Sequence, residues 1–436
     1  MEKIVQHLYS LFLSHPRIST DTRNLIPDSI FFSLSGPSFN GNKFASQAIE
    51  GGCAYAVVDQ KEYVTSDKYI LVEDSLKALQ ELSSIHRKNL SCKVIAITGS
   101  NGKTTSKELL RKVLQKKYIT YATRGNLNNH IGVPLTLLEL GSDVEFAIIE
   151  MGASKQGDIK ELVDIAQPDF GLITNIGMAH LEGMGGIEGV IKTKTELYDF
   201  IKDKGFKLFV NTIHPIFVEK SSGIDSITYG ESTNDDYRGY FISSDPFVKF
   251  KWGTKNLSEN QCPLVSTNLI GKYNFENLLA AACVGSYFGV SDILINEALA
   301  EYVPDNNRSQ IIKTANNELI LDAYNANPTS MKAALHNFSK MKNENKVVIL
   351  GQMNELGDVS NIEHKLVSEL AQSLNFQSII LIGEPYSPYS AGKNIHYFPT
   401  TDLAIMFLQG ESMKDQLILI KGSRSNKLER LKEVFS

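Results

Sequence analysis

The run Val94-Ile-Ala-Ile-Thr-Gly-Ser-Asn-Gly-Lys-Thr-Thr105, continued by SKELLRKVL, decides how the rest of the chain is read. Its apolar, β-branched start predicts a buried strand. Leu109, Leu110, Val113 and Leu114 then recur at helical spacing. A strand that passes through a glycine-bearing turn into a helix brings several backbone N–H groups to one point, where the helix start adds positive potential. Gly99, Ser100, Asn101 and Gly102 form that turn, and the two glycines let the backbone close on phosphate oxygens. Lys103 follows within reach of a β- or γ-phosphate, and the Thr104 hydroxyl, with Thr105 beside it, suits Mg²⁺. Ile97 stands where the full eight-residue phosphate-loop pattern has its first glycine. The strand–loop–helix context survives that departure, so nucleotide phosphate binding is expected.

Outward from this loop, the runs VIAIT, YITYAT, FAIIEM and FGLITNI alternate with helix-like segments, which predicts a mostly parallel sheet covered by helices. From about Ser226 to Val265 the pattern changes to an expected antiparallel excursion, followed by the helical NFENLLAAACVGSYFGV. A second alternation, KVVILG to LILIKG, predicts a Rossmann-like unit with its ligand edge at the strand C-termini. The first ninety residues read as a smaller α/β unit that exits through the polar NLSCK stretch. The expected organisation is α/β throughout, with three domains at 1–92, 93–307 and 308–436.

Composition sets limits. The 436 residues carry 44 Lys+Arg against 49 Asp+Glu, a net charge of −5, so no excess of base remains to neutralise a nucleic-acid backbone. Four scattered cysteines without a CxxC pair, and a start lacking a signal-peptide core, lead us to expect a cytoplasmic chain. No apolar run approaches the ~20 residues of a membrane span, so membrane insertion is not expected.

Three further residues draw attention. Glu150 ends the strand FAIIE and either supplies a carboxylate beside the phosphate loop or is a surface acid after a buried strand. Projected as a helix, Ile187, Val190, Ile191, Leu197, Tyr198 and Ile201 share one face, and Lys194 falls in the same stripe. A lysine there must snorkel to water, pair with an acid, or lose its charge. In the last case its neutral amine could take up CO₂ as a carbamate, an oxygen ligand for Mg²⁺. His180, in the preceding turn, is either a structural residue or a second metal-side group.

Taken in order, TGSNGKT at 98–104, GNLNNHIGVP at 125–134, EMGA at 150–153 and AHLE at 179–182 resemble the central domain of the Mur ligase family, which builds the peptidoglycan stem peptide by ATP-dependent amide formation. DAYNANPTSM at 322–331 and KGSR at 421–424 resemble the branch that adds D-alanyl-D-alanine to UDP-N-acetylmuramoyl-tripeptide through an acyl phosphate. DTR at 21–23 and FNG at 39–41 are similar to that branch's nucleotide-sugar domain, so the likeness covers essentially the whole chain. It implies ATP and two Mg²⁺ ions as cofactors, with Thr104 and Glu150 on one ion, and His180 and a carbamylated Lys194 on the other. It also implies that Asn277, Arg308 and Asp322 approach ATP and that Thr22 and Arg23 face the uridine diphosphate. The enzyme is then expected to act as a monomer. Gln352 departs from the family, where Asp is commoner. Competing expectations are another amide-forming relative, such as the third-residue-adding enzyme or a folylpolyglutamate synthase, and a phosphate-loop ATPase without ligation.

Overall fold

The computed structural model describes every residue except Met1, Asn306, Lys393, Ser412 and Ser436. Three sheets follow one another along the chain.

The first sheet has four short parallel strands, Ile18–Ser19, Ile30–Phe32, Tyr55–Val58 and Tyr69–Leu71, in sequence order. Helices Glu2–Ser14 and Ser75–Asn89 cover it through Val5, Leu8, Phe12, Leu79 and Leu82. Asp74 starts the second helix, accepting a hydrogen bond from Lys77 N at 2.9 Å. The far side of this helix is tied to the next unit. Arg87, nearly buried, donates to the carbonyls of Ala166 (3.1 Å) and Gln167 (3.0 Å) and pairs with Asp169 at 2.9 Å. Leu138, from a helix of the second unit, sits within the first unit's core.

The second sheet holds nine strands. Seven run parallel, with Lys93–Thr98 between Phe146–Glu150 and Phe170–Ile173. Strand residues alternate between two cores: Ile95 and Ile97 pack with Leu109, Leu110 and Val113 of the helix Lys103–Gln115, whereas Val94 and Ala96 face the cluster holding Leu197 and Ile201. Truncating a residue such as Leu110 to Ala would cost about 2–5 kcal/mol.

The expected antiparallel excursion holds for its later strands and needs correcting at its first. Ser226–Gly230 pairs parallel with Lys207–Asn211, and Tyr237–Ser244 pairs parallel with Ser226–Gly230 at Tyr229↔Tyr237. Tyr237–Ser244 then pairs antiparallel with Phe247–Thr254, and Phe247–Thr254 antiparallel with Val265–Ile270. The loop between the parallel pair is closed by carboxylates that satisfy backbone donors. Asp235 accepts from Ser232 N (2.8 Å) and Asp236 from Thr228 N (3.0 Å), so no hairpin is needed.

The third sheet has six strands. Gln310–Lys313 is an antiparallel edge on Asn317–Asp322, and the others are parallel, with Gln416–Lys421 between Asn317–Asp322 and Lys346–Gly351. Helices pack on both faces. No helix among the described residues is long and apolar enough to cross a membrane.

Candidate active site

A cleft of about 970 Å³ opens where the strand ends of the second and third units face one another. Its floor is the loop 99–102. Gly99 and Gly102 hold φ of 144° and 77°, and a Cβ at Gly102 would stand 2.6 Å from Asn277 Oδ1, so close approach as well as backbone freedom requires glycine there. Gly102 leads directly into the helix Lys103–Gln115. Lys103 Nζ folds back to donate to Gly99 O at 2.7 Å. Desolvation lowers its pKa, with Glu150 opposing that shift and Arg308 adding to it.

The register Ile97↔Glu150 brings the end of strand Phe146–Glu150 beside the loop. Glu150 is buried, not a surface acid. Thr104 Oγ1 donates to its Oε2 at 2.9 Å and Asn128 Nδ2 to its Oε1 at 2.8 Å. Lys107, also buried, lies 3.9 Å from Glu150 Oε2 while donating to Thr123 O at 2.6 Å. Asn277 accepts from Ser106 Oγ at 3.0 Å, which fastens the helix Asn274–Tyr287 to the loop's own helix.

Lys194 lies on the helix Ile187–Lys204, whose buried face carries Val190, Leu197, Tyr198 and Ile201; Ile187, at its first position, is exposed instead. The lysine is 2% exposed, which excludes snorkelling. Among the described residues no carboxylate lies within ion-pair distance of its amine. Asp158 and Glu196 raise its pKa electrostatically, but their oxygens are taken by backbone donors of Ser154, Lys155, Gly157 and Lys160. Burial, reinforced by the charge on Lys103, pushes the amine down to about 7. It stands behind the cleft wall and is not part of its lining.

His180 does line the cleft, with φ 54° at the start of the turn Leu181–Met184. Its Nδ1 makes an ion-pair contact with the Glu355 carboxylate of the third unit, and the histidine holds that carboxyl below its usual range. Elsewhere on the third wall, Asp322 and Lys421 end adjacent strands in register and pair at 2.6 Å. The Arg308 guanidinium stacks 3.9 Å over the Tyr324 ring. Asn327 Nδ2 crosses the cleft to Asn101 Oδ1 at 2.7 Å, and Thr329 Oγ1 accepts from Met178 N at 3.2 Å.

Comparison with known proteins places this geometry. The Mur ligase middle domain matches residues 97–285, and the Mur ligase, glutamate ligase domain matches residues 307–424. The chain is 33% identical to the UDP-N-acetylmuramoyl-tripeptide–D-alanyl-D-alanine ligase of Bacillus subtilis (strain 168), over 95% of this chain and 92% of that protein. The chain belongs to the Mur ligase family. Among solved structures, MurF from Acinetobacter baumannii superposes with a TM-score of 0.86 at 32% identity, covering 96% of this chain and 92% of that one. MurF from Thermotoga maritima in complex with ADP gives 0.84 at 25% identity, covering 97% of each chain. This Mur ligase is accordingly an ATP-dependent ligase.

The expected site residues of this Mur ligase fall into three groups. Lys103, Glu150, His180, Asn277, Arg308 and Asp322 line one cleft. Thr104 and Lys194 sit just behind its wall. Thr22 and Arg23 are not brought there. They occupy a turn of the first unit, where Arg23 pairs with Asp21 at 2.6 Å and its side chain is 88% exposed. Gln352 packs against Gly383 within the third unit and does not line the cleft.

Sequence reasoning missed Asn128, Lys107, Asn327 and Glu355. Asn128 lies inside a quoted motif, GNLNNH, that carried no role of its own. Lys107 follows Lys103 by one helical turn, a spacing that puts it on the strand-facing side. Asn327 likewise lies inside the quoted DAYNANPTSM, but nothing local gives it or Glu355 a partner, because those partners lie in another unit.

Proposed function

We propose that this Mur ligase joins the amine of D-alanyl-D-alanine to the terminal carboxylate of UDP-N-acetylmuramoyl-tripeptide in cytoplasmic peptidoglycan precursor synthesis. A carboxylate oxygen attacks the γ-phosphorus of ATP, ADP leaves, and an acyl phosphate results. The dipeptide amine then attacks the acyl carbon, phosphate departs, and the amine's proton passes to solvent. The observation that carries this reading is one cleft in which a phosphate loop and a buried carboxylate face a second unit bearing Arg308, Asp322 and Lys421. The names of the full-length relatives support the same substrates.

The donors at Thr104 and Glu150 fit Mg²⁺. Both are hard oxygens held 2.9 Å apart, and a magnesium ion keeps most of its shell for water and phosphate. The lack of any three-residue His/Cys/Asp/Glu cluster among the described residues is compatible with that economy. A second ion would sit by His180 and Lys194. The Lys194 amine, buried and without a hydrogen-bonding partner among the described residues, fits carbamylation. Its neutral nitrogen forms a bond to CO₂ and releases a proton, and the new carboxylate extends the side chain toward the cleft. Bound Mg²⁺ supplies charge neutralisation at the phosphates.

The chain's own groups do the rest. Lys103 exchanges its loop carbonyls for phosphate oxygens, the N–H groups at the start of the helix Lys103–Gln115 hold the β-phosphate, and Asn128 keeps Glu150 aimed. Arg308, stacked on Tyr324, and Asp322 approach the nucleotide from the third unit. Thr22 and Arg23 hold the uridine diphosphate end on the first unit, so one chain supplies every group named. Closure around the cleft keeps water from the acyl phosphate.

Phosphate release tests the reading. With ATP, Mg²⁺ and UDP-muramoyl-tripeptide present, release should require D-alanyl-D-alanine, and mass spectrometry should find the pentapeptide product. Release that ignores the amine would mean an ATPase without ligation. Release that responds only to a single amino acid would mean a different amide-forming member.

A further inference from the structure

The contact between His180 and Glu355 joins two loops that both bend through left-handed backbone, at φ 54° and 61°. A third residue at φ > 0 lies at this seam, since Gly357 follows Glu355 at 54°. Non-glycine residues adopt that conformation at a cost, so their concentration marks a place where position outweighs comfort. The loops are also in close touch: a Cβ on Gly357 would come within 3.2 Å of Glu182 Cβ.

The chemistry of the pair is specific to one nitrogen. Glu355 Oε2 faces Nδ1 of His180 in an ion-pair contact, and among the described residues no hydrogen-bond partner satisfies that buried atom. Stability does not explain the arrangement, because the Glu355 side chain is 59% exposed and exposed ion pairs contribute little. A carboxylate facing one imidazole nitrogen keeps the proton there and leaves the other nitrogen's lone pair free, which is how carboxylates orient metal-binding histidines in general.

We infer that Glu355 is a positioning residue: by docking on His180 Nδ1 it presents Nε2 as an electron-pair donor to the cation side of the cleft only when the third unit is closed. The inference rests on the ligase reading for the identity of that cation, but the tautomer itself does not depend on it. Domain closure thereby prepares a group on the opposite wall as well as enclosing the substrates.

Glu355→Gly and Glu355→Gln separate the effects. Glycine removes the carboxylate and suits a φ of 61°, so folding should be spared, and a melting curve checks that. Glutamine keeps an acceptor for the Nδ1 proton. Long-range ¹H–¹⁵N correlation on histidine-labelled protein at about pH 8.5, where imidazole is neutral, reads the tautomer, with His180→Gln assigning the signal. The wild type and E355Q should carry the proton on Nδ1, and E355G should revert to Nε2–H. In turnover, kcat of E355G should fall about 10–100-fold, while KM for the UDP-substrate stays within about 3-fold. E355Q should recover most of the loss. A wild-type Nε2–H tautomer, or an E355G enzyme with unchanged kcat, overturns the inference. A wild type that never responds to the dipeptide overturns the ligase reading instead, and the spectra still decide the tautomer.

Discussion

The two walls of the cleft are built differently. On the phosphate-loop wall, most groups are held by neighbours in their own unit: Thr104 and Asn128 on Glu150, Ser106 on Asn277, with Lys194 buried on its helix. On the facing wall, Asp322 and Lys421 satisfy each other, and among the described residues Asn327, Thr329, Glu355 and Ser309 reach across to the first wall's loops. One wall is assembled by folding, the other by docking. Substitutions on the first should therefore strike chemistry and metal use, and those on the second should strike affinity and closure.

The largest effect belongs to Lys103→Ala. Removing a charge aimed at the developing phosphate charge should lower kcat by about 10²–10⁴; phosphate release near the wild-type rate would break the assignment of this wall. Next, Glu150→Gln keeps the shape and the hydrogen bond from Asn128 but halves the hard-oxygen character. Turnover should drop about 10²-fold and recover partly at raised Mg²⁺, as a magnesium titration of the rate would report. Lys194→Ala should lose activity that short-chain carboxylates restore in part. An unaltered rate with no dependence on CO₂ would remove the carbamate from the scheme.

Asn327→Ser sharpens the contrast. Asn327 also caps the helix Pro328–Lys340, accepting from Ser330 N at 2.9 Å, and serine caps about as well but cannot span to Asn101. KM for ATP should rise about 5-fold, the worth of roughly one hydrogen bond, with the melting temperature nearly unchanged. A fall in stability without a change in KM would place the residue's contribution in the cap alone.

The smallest effect is on stability with pH. Lys194 has its amine near 7 in the folded protein against an ordinary 10.5. Between those values the unfolded chain binds a proton that the folded one refuses, so stability rises with pH across that window; below about 7 the burial penalty is complete. Denaturation in CO₂-depleted buffer should show Lys194→Met more stable than wild type at pH 7, with the gap narrowing by pH 9. A constant gap would mean that the amine is not desolvated.

The first wall was legible in the sequence because its information is local. A strand, two glycines and Lys-Thr lie within twelve residues, and the face that buries Lys194 follows from helical period. Periodicity left open whether that lysine snorkels, and the closed packing around it settled the matter. Glu150 was ambiguous for a related reason: whether a strand end is surface or cleft depends on the unit beyond it. The second wall's crossings were illegible because Asn101 and Asn327 lie 226 positions apart and no local pattern sets how two separately folded units meet. The parallel strand Ser226–Gly230 was misread because short connections usually signal hairpins, and here two aspartates hold a tight parallel return.

Arg87 bears on how such a molecule can work at all. Its guanidinium is sunk among the carbonyls at the end of the helix Asp158–Ala166 and anchored on Asp169, with Leu138 plugged into the same seam. Prising that joint apart would break three donor contacts of one guanidinium at once and bare Leu138 to water. The other seam has an apolar contact too, where Ile270 joins the third unit's core, but its crossings at the cleft are mostly side-chain amides and hydroxyls that can trade partners with solvent, so a hinge is easier there. On the function proposed above, the three-part chain would behave as two bodies on one pivot: a bed formed by the first two units, holding the sugar nucleotide at one end and the triphosphate at the other, and a single jaw that brings the last reactant down onto it.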